Sequence, residues 1–129
     1  MKHFKIYEPT YHTNIILVVD CTHEQFLQYL NKKQNFDVSA EPNNSLGGQT
    51  IKGVTDSGSI MFVIWIRYMP NTPYYLGSLM HEVIHVGIKN MEDLGIPISD
   101  NVSEPFTYFC EWLFTECCEK LKLKVRIKK

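Results

Sequence analysis

Within the stretch SLMHEVIHVGIKN, residues His81, Glu82 and His85 stand in the spacing H-E-x-x-H. On a helix, positions i and i+4 share a face about one turn apart, so His81 and His85 can offer two imidazole nitrogens to one metal ion. Glu82 is next to the first of them. Its carboxylate is placed to touch a water on the metal and take its proton, which is the chemistry of zinc-dependent hydrolysis. A plainer reading competes with this one. Met80, Val83, Ile84 and Ile88 mark much of the segment as buried, so the histidines could belong to an ordinary amphipathic helix.

A catalytic zinc takes three protein ligands and keeps one open position. The downstream acids that could supply the third are Glu92, Asp93, Asp100, Glu104 and Glu111. Glu92 and Asp93 continue the same helix and would have to turn back. Glu104 opens a second helix after the loop GIPISDNVS, long enough for that helix to return beside the first. Glu111 lies two turns further along the same side and is the fallback. Both could equally sit on a solvated helix face with Thr115, and Glu104 suits a helix N-terminus by its charge alone.

The combined pattern resembles the gluzincin arrangement of zinc metallopeptidases, in which a glutamate on a following helix completes the site. Thermolysin-like enzymes show a similar interval between the second histidine and that glutamate. The segment from Ser78 to Lys122 also resembles small predicted metallopeptidases encoded by bacteriophages and prophages, especially of Bacteroidetes. Those pair H-E-x-x-H with E-x-x-x-Y and then a tryptophan four residues on, matched here by Glu104, Tyr108 and Trp112. Pro105 and the bulky Val83 and Ile84 depart from the family's usual small residues. The resemblance implies His81, His85 and Glu104 as zinc ligands, Glu82 as general base, zinc as the cofactor and a peptide or protein as the substrate. Tyr108 either donates a hydrogen bond to a developing oxyanion or packs in the core. Asp100 or Asn101 is a candidate to orient a ligand histidine. Surface positions are expected for His3, His12 and His23. Cys21 lacks the local motif that a peptide-deformylase site would require.

These residues need elements to hold them. Thr72 as cap, Pro73 in the first turn, and Gly95 followed by Pro97 at the end predict a helix from Pro73 to Leu94. The stretch SEPFTYFCEWLFTECCEKL predicts a second helix with Phe106, Phe109, Cys110, Leu113 and Cys117 inward, flanked by Trp112 and Phe114. Upstream, NIILVVD reads as a buried strand. A capping box of Thr22 and Gln25 opens a helix with Phe26, Tyr29 and Leu30 on one stripe. After a polar loop, TIKGV and SIMFVIWIRY read as a hairpin. The second of these strands, preceding the metal helix, is expected to border the cleft and pair with extended substrate. The tail LKLKVRIKK alternates strictly, as a half-buried strand guarded by lysines.

The expected fold class is α+β: one zincin-like domain over 1–129, with a mainly antiparallel sheet against three helices and H-E-x-x-H on the long central one. The length of 129 residues suits one core, and 44% hydrophobic content argues against disorder. A formal net charge of −1 gives no field to attract nucleic acid. The longest apolar run, IMFVIWI, is too short to span a bilayer, and the opening MKHFKIYEPTYH has no apolar signal-peptide core. Four cysteines without a C-x-x-C pair suit free thiols in a reducing compartment, so a cytoplasmic setting is expected, that of the host if the chain is phage-encoded. A non-catalytic binding protein on the same metal-binding scaffold is the alternative to an enzyme. Nothing in the sequence specifies an oligomeric state.

Overall fold

Two apolar runs without alternation, IILVV and IMFVIWI, need cover on both faces, and both obtain it. A computed structural model describes residues 1–54, 57–101 and 103–123. The order of elements is β1 (Lys2–Glu8), β2 (Thr13–Val19), α1 (His23–Lys33), β3 (Gly48–Val54), β4 (Ile60–Ile66), α2 (Pro73–Leu94) and α3 (Glu104–Lys120). The strands form one mixed sheet in the order β1-β2-β4-β3. β2 and β4 are its central pair, and they run parallel from Asn14 opposite Met61 to Val19 opposite Ile66. β1 and β3 flank them antiparallel.

Side chains alternate across this sheet and build two cores. Ile15, Leu17 and Val19 of β2 join Phe62, Ile64 and Ile66 of β4 under α2 and α3. Ile16, Val18, Val63 and Trp65 point the other way, onto Phe26, Leu27 and Leu30 of α1. The molecule is therefore three layers, with one helix below the sheet and two above it.

The helix signals hold in detail. Thr22 and Gln25 make both bonds of the capping box, Gln25 N–H to Thr22 Oγ1 at 3.2 Å and Thr22 N–H to Gln25 Oε1 at 2.9 Å. Thr72 accepts the Tyr75 N–H at 3.4 Å, and Gly95 ends α2 with φ 70° and ψ 22°. Caps contribute about 1 kcal/mol each. Leu79, Val83, Val86 and Met91 of α2 are wholly buried, and each such side chain contributes about 1.5–3 kcal/mol. Burial, more than capping, holds α2 to the sheet.

Gly87 sets how α2 meets α3. A Cβ there would stand 2.6 Å from Cys110 Sγ and 2.9 Å from the Phe106 ring, so only glycine permits this approach. Cys110, at this contact, and Cys117, in the same core, are free, buried thiols; burial pushes Cys110 up to about 11 and Cys117 up to about 12.

The sheet is mainly antiparallel, as expected, with two antiparallel pairs and one parallel pair, whereas the place of SIMFVIWIRY needs correction. The one parallel pair makes the sheet mixed, because the excursion through α1 and β3 lets β4 return in the same sense as β2. SIMFVIWIRY does not border a cleft as an edge: β4 is paired on both sides, and β3 is the edge strand on its flank. β1 was not anticipated; only Ile6 and Glu8 of it are buried, which leaves little apolar pattern to read. At the tail, Leu121 and Lys122 form a turn, and the rest of the expected strand, from Lys124 onward, lies outside the described residues. Among the described residues, no helix is long and apolar enough to cross a membrane.

Candidate metal centre

His81 and His85 lie one turn apart on the exposed side of α2, with Nε2 atoms 3.1 Å apart and ring planes at 77°. Zinc–imidazole bonds of about 2.0–2.1 Å at a tetrahedral angle require nitrogens about 3.3 Å apart. The pair thus fits two adjacent positions of one metal ion. One of the two ring nitrogens donates a hydrogen bond to the other.

Glu82 differs from the two histidines in being only 4% exposed. It points toward β3, where two features make room for it. Gly48 presents no side chain, and a Cβ there would lie 3.3 Å from Glu82 Cγ. Thr50 donates through Oγ1 to the Glu82 carbonyl at 3.2 Å and faces Oε1 at 3.5 Å. Burial raises the Glu82 carboxyl above its ordinary range; the two imidazoles, Thr50 and Lys89 pull it back. One ligand atom from each of His81, Glu82 and His85 fits within 4.8 Å of the others.

The structure does not bring Glu104 into this group. α3 meets α2 through Phe106 and Cys110 against Gly87. Successive helical residues turn by about 100°, so Gly87 stands about 200° around α2 from His85, and Glu104 about 200° around α3 from Phe106. The histidines and Glu104 therefore point away from the contact in opposite senses. Glu104 instead lines a cavity with Glu8, Tyr11, Tyr108, Glu111 and Trp112. Tyr108 goes with it and is 65% exposed, so it is neither a packed core residue nor beside the histidines.

No family model, curated protein or solved structure matches this chain.

The other candidates have different duties. Asp93 pairs with Lys52 Nζ at 2.7 Å, and Glu92 is exposed. Asp100 and Asn101 are exposed and make no hydrogen bond to either histidine. His3 and His12 are exposed, as expected, beside Tyr29 and Tyr7. His23 is a correction: it is 2% exposed and wedged between Phe26 and Trp65. Its Nδ1 accepts the Asn43 N–H at 2.9 Å and its Nε2 meets Gln49 Oε1 at 2.8 Å. Those partners lie 20 and 26 residues away, beyond any local pattern. Thr50 was also missed; a threonine in an edge strand gives no sign that it will reach Glu82.

Proposed function

We propose that this chain binds a zinc ion through His81 and His85 and hydrolyses a peptide bond with Glu82 as general base. The observation that carries this is the convergence of the two Nε2 atoms at 3.1 Å beside a buried carboxylate. A bound zinc supplies Lewis acidity, which makes water acidic enough to lose a proton near neutral pH. Glu82, held by Thr50 and raised by burial, is poised to take that proton and pass it to the leaving amine. In this zincin-like reading, β3, the edge strand among the described residues, receives an extended substrate through backbone hydrogen bonds. Glu104 and Tyr108 have no part in it, since α3 carries them to the other cavity.

A second reading is favoured by the donor count. Among the described residues only Glu82 joins the two histidines. A metal held by two imidazoles could brace a binding protein that performs no hydrolysis. Zinc binding is common to both readings and is tested first. Purified protein, freed of metal and titrated with zinc, is expected to take up one ion per chain. His85→Ala should weaken this by more than about 100-fold, since even partners of ligand residues are worth 10–100-fold. Affinity should fall in acid, because imidazole binds metal only when neutral. A parent protein that takes up no zinc at micromolar concentration and neutral pH would sink both readings.

A further inference from the structure

The residues that the metal centre leaves aside line a second site. A cavity of about 730 Å³ lies between the turn after β1 and the outer face of α3. That volume falls in the usual range for organic ligands. Glu104, Tyr108, Glu111 and Trp112 recur at helical spacing and form one wall; Glu8 and Tyr11 form the other. Three carboxylates and four aromatic rings, Phe109 included, thus line one hollow, and among the described residues no lysine, arginine or histidine lines it.

Glu8 is the least expected of these. It is 6% exposed yet has no ion-pair partner among the described residues. Its oxygens accept the backbone N–H groups of Thr10 and Tyr11, each at 2.7 Å, which fixes the carboxylate in place. A buried carboxylate usually has a counter-charge, and among the described residues this one has two backbone amides instead. Glu104 and Glu111 are exposed and also have no ion-pair partner among the described residues. Tyr108 keeps 65% of its surface open, and Trp112 is half-buried. Aromatic faces attract cations, and desolvated pairs of this kind are the stronger ones.

We propose that this cavity binds an organic cation, an arginine side chain presented by a peptide. Guanidinium suits the lining better than ammonium. It stacks flat on tyrosine and tryptophan, engages a carboxylate through two N–H groups, and is less strongly hydrated. The volume exceeds one side chain, so flanking peptide occupies the apolar remainder beside Pro9 and Pro105.

The test is calorimetric titration of the full chain with the blocked peptide acetyl-Leu-Arg-Leu-amide, its citrulline counterpart and spermidine. Citrulline keeps the shape of arginine and removes its charge. The arginine peptide should bind at least about tenfold more tightly than the citrulline one, a ratio within reach of one desolvated cation–aromatic contact plus carboxylates. Glu104→Gln combined with Glu111→Gln should lower affinity by a similar factor, and binding should weaken with added salt. Trp112→Leu should lower it several-fold. Both variants are first checked for parental thermal unfolding. If Trp112→Leu does not fold, Tyr108→Leu takes its place, because that ring is largely exposed and its removal spares the core. Equal binding of the two peptides, parental affinity in the double glutamine variant, or no arginine-peptide binding at millimolar concentration overturns the site. Binding of spermidine without the peptide overturns the peptide as its ligand.

Discussion

The two acidic sites of this protein treat a carboxylate in opposite ways. At the α2–β3 site, Glu82 is buried beside two imidazoles and one threonine. In the α3 cavity, Glu8, Glu104 and Glu111 gather without a cation or an imidazole from the described residues among them. The first arrangement supplies two imidazole nitrogens and a carboxyl raised by burial, which suits a metal ion and proton transfer. The second supplies negative charge and aromatic faces, which suits an organic cation. Both draw on the same stretch of sequence, from Ser78 to Lys122. Helical spacing groups residues onto a face, but the packing of one helix on another decides what that face meets.

The comparison breaks most sharply at Glu82. Glutamine has the shape and hydrogen bonds of the native side chain but cannot accept a proton. With a cleavable peptide in hand, Glu82→Gln is expected to lower the rate by about 10²–10⁴ while zinc binding persists. Equal rates in the two proteins would place the hydrolysis elsewhere. If no peptide in a broad library is cleaved by the zinc-loaded parent, the bracing role of the metal becomes the better reading.

A second substitution tests what turns the two faces apart. Gly87 lets α3 approach α2, and a side chain there must displace Cys110 and Phe106. Gly87→Val should cost about 1–3 kcal/mol of stability by overpacking, read as a lower midpoint in urea unfolding. It should disturb arginine-peptide binding in the α3 cavity more than zinc binding at His81 and His85, because Phe106 and Cys110 belong to α3. An unchanged urea midpoint would mean that the helices are not in the close contact described.

Much of the architecture is legible from residues alone, for reasons that are local. α2 is bounded by Thr72, Pro73 and Gly95, each acting on its own backbone. α1 begins at a capping box whose two members are three residues apart. β2 and β4 reveal themselves by apolar runs that only a doubly covered strand can carry. What escapes is set by contacts distant in sequence. The parallel pairing of β2 with β4 spans 47 positions, from Asn14 to Met61. His23 looks like a surface residue until Asn43 and Gln49 fold over it. At the metal centre, His81, Glu82 and His85 are legible because one helix positions all three. Where Glu104 would stand was not legible, because it belongs to another helix, which meets α2 through Phe106 and Cys110 against Gly87.

Glu104 supplies the smallest expected effect on zinc and the clearest division between the sites. Its place in the α3 cavity means that it has no contact to lose at the histidines. Glu104→Ala should leave zinc affinity within about twofold, the scatter of an ordinary surface change. The same variant should weaken arginine-peptide binding, since it removes one of three carboxylates from the lining. A large loss of zinc affinity, with the peptide unaffected, would show that the first turn of α3 swings onto His81 and His85 when metal binds. That movement has a physical requirement. Ser103 makes no side-chain cap to α3, so its first turn lacks the anchor that Thr72 gives α2. Capping bonds are worth about 1 kcal/mol, and a third ligand would have to outweigh the packing of Phe106 on Gly87 as well. With that contact in place, the carboxylate of Glu104 stays on the cation side of the molecule.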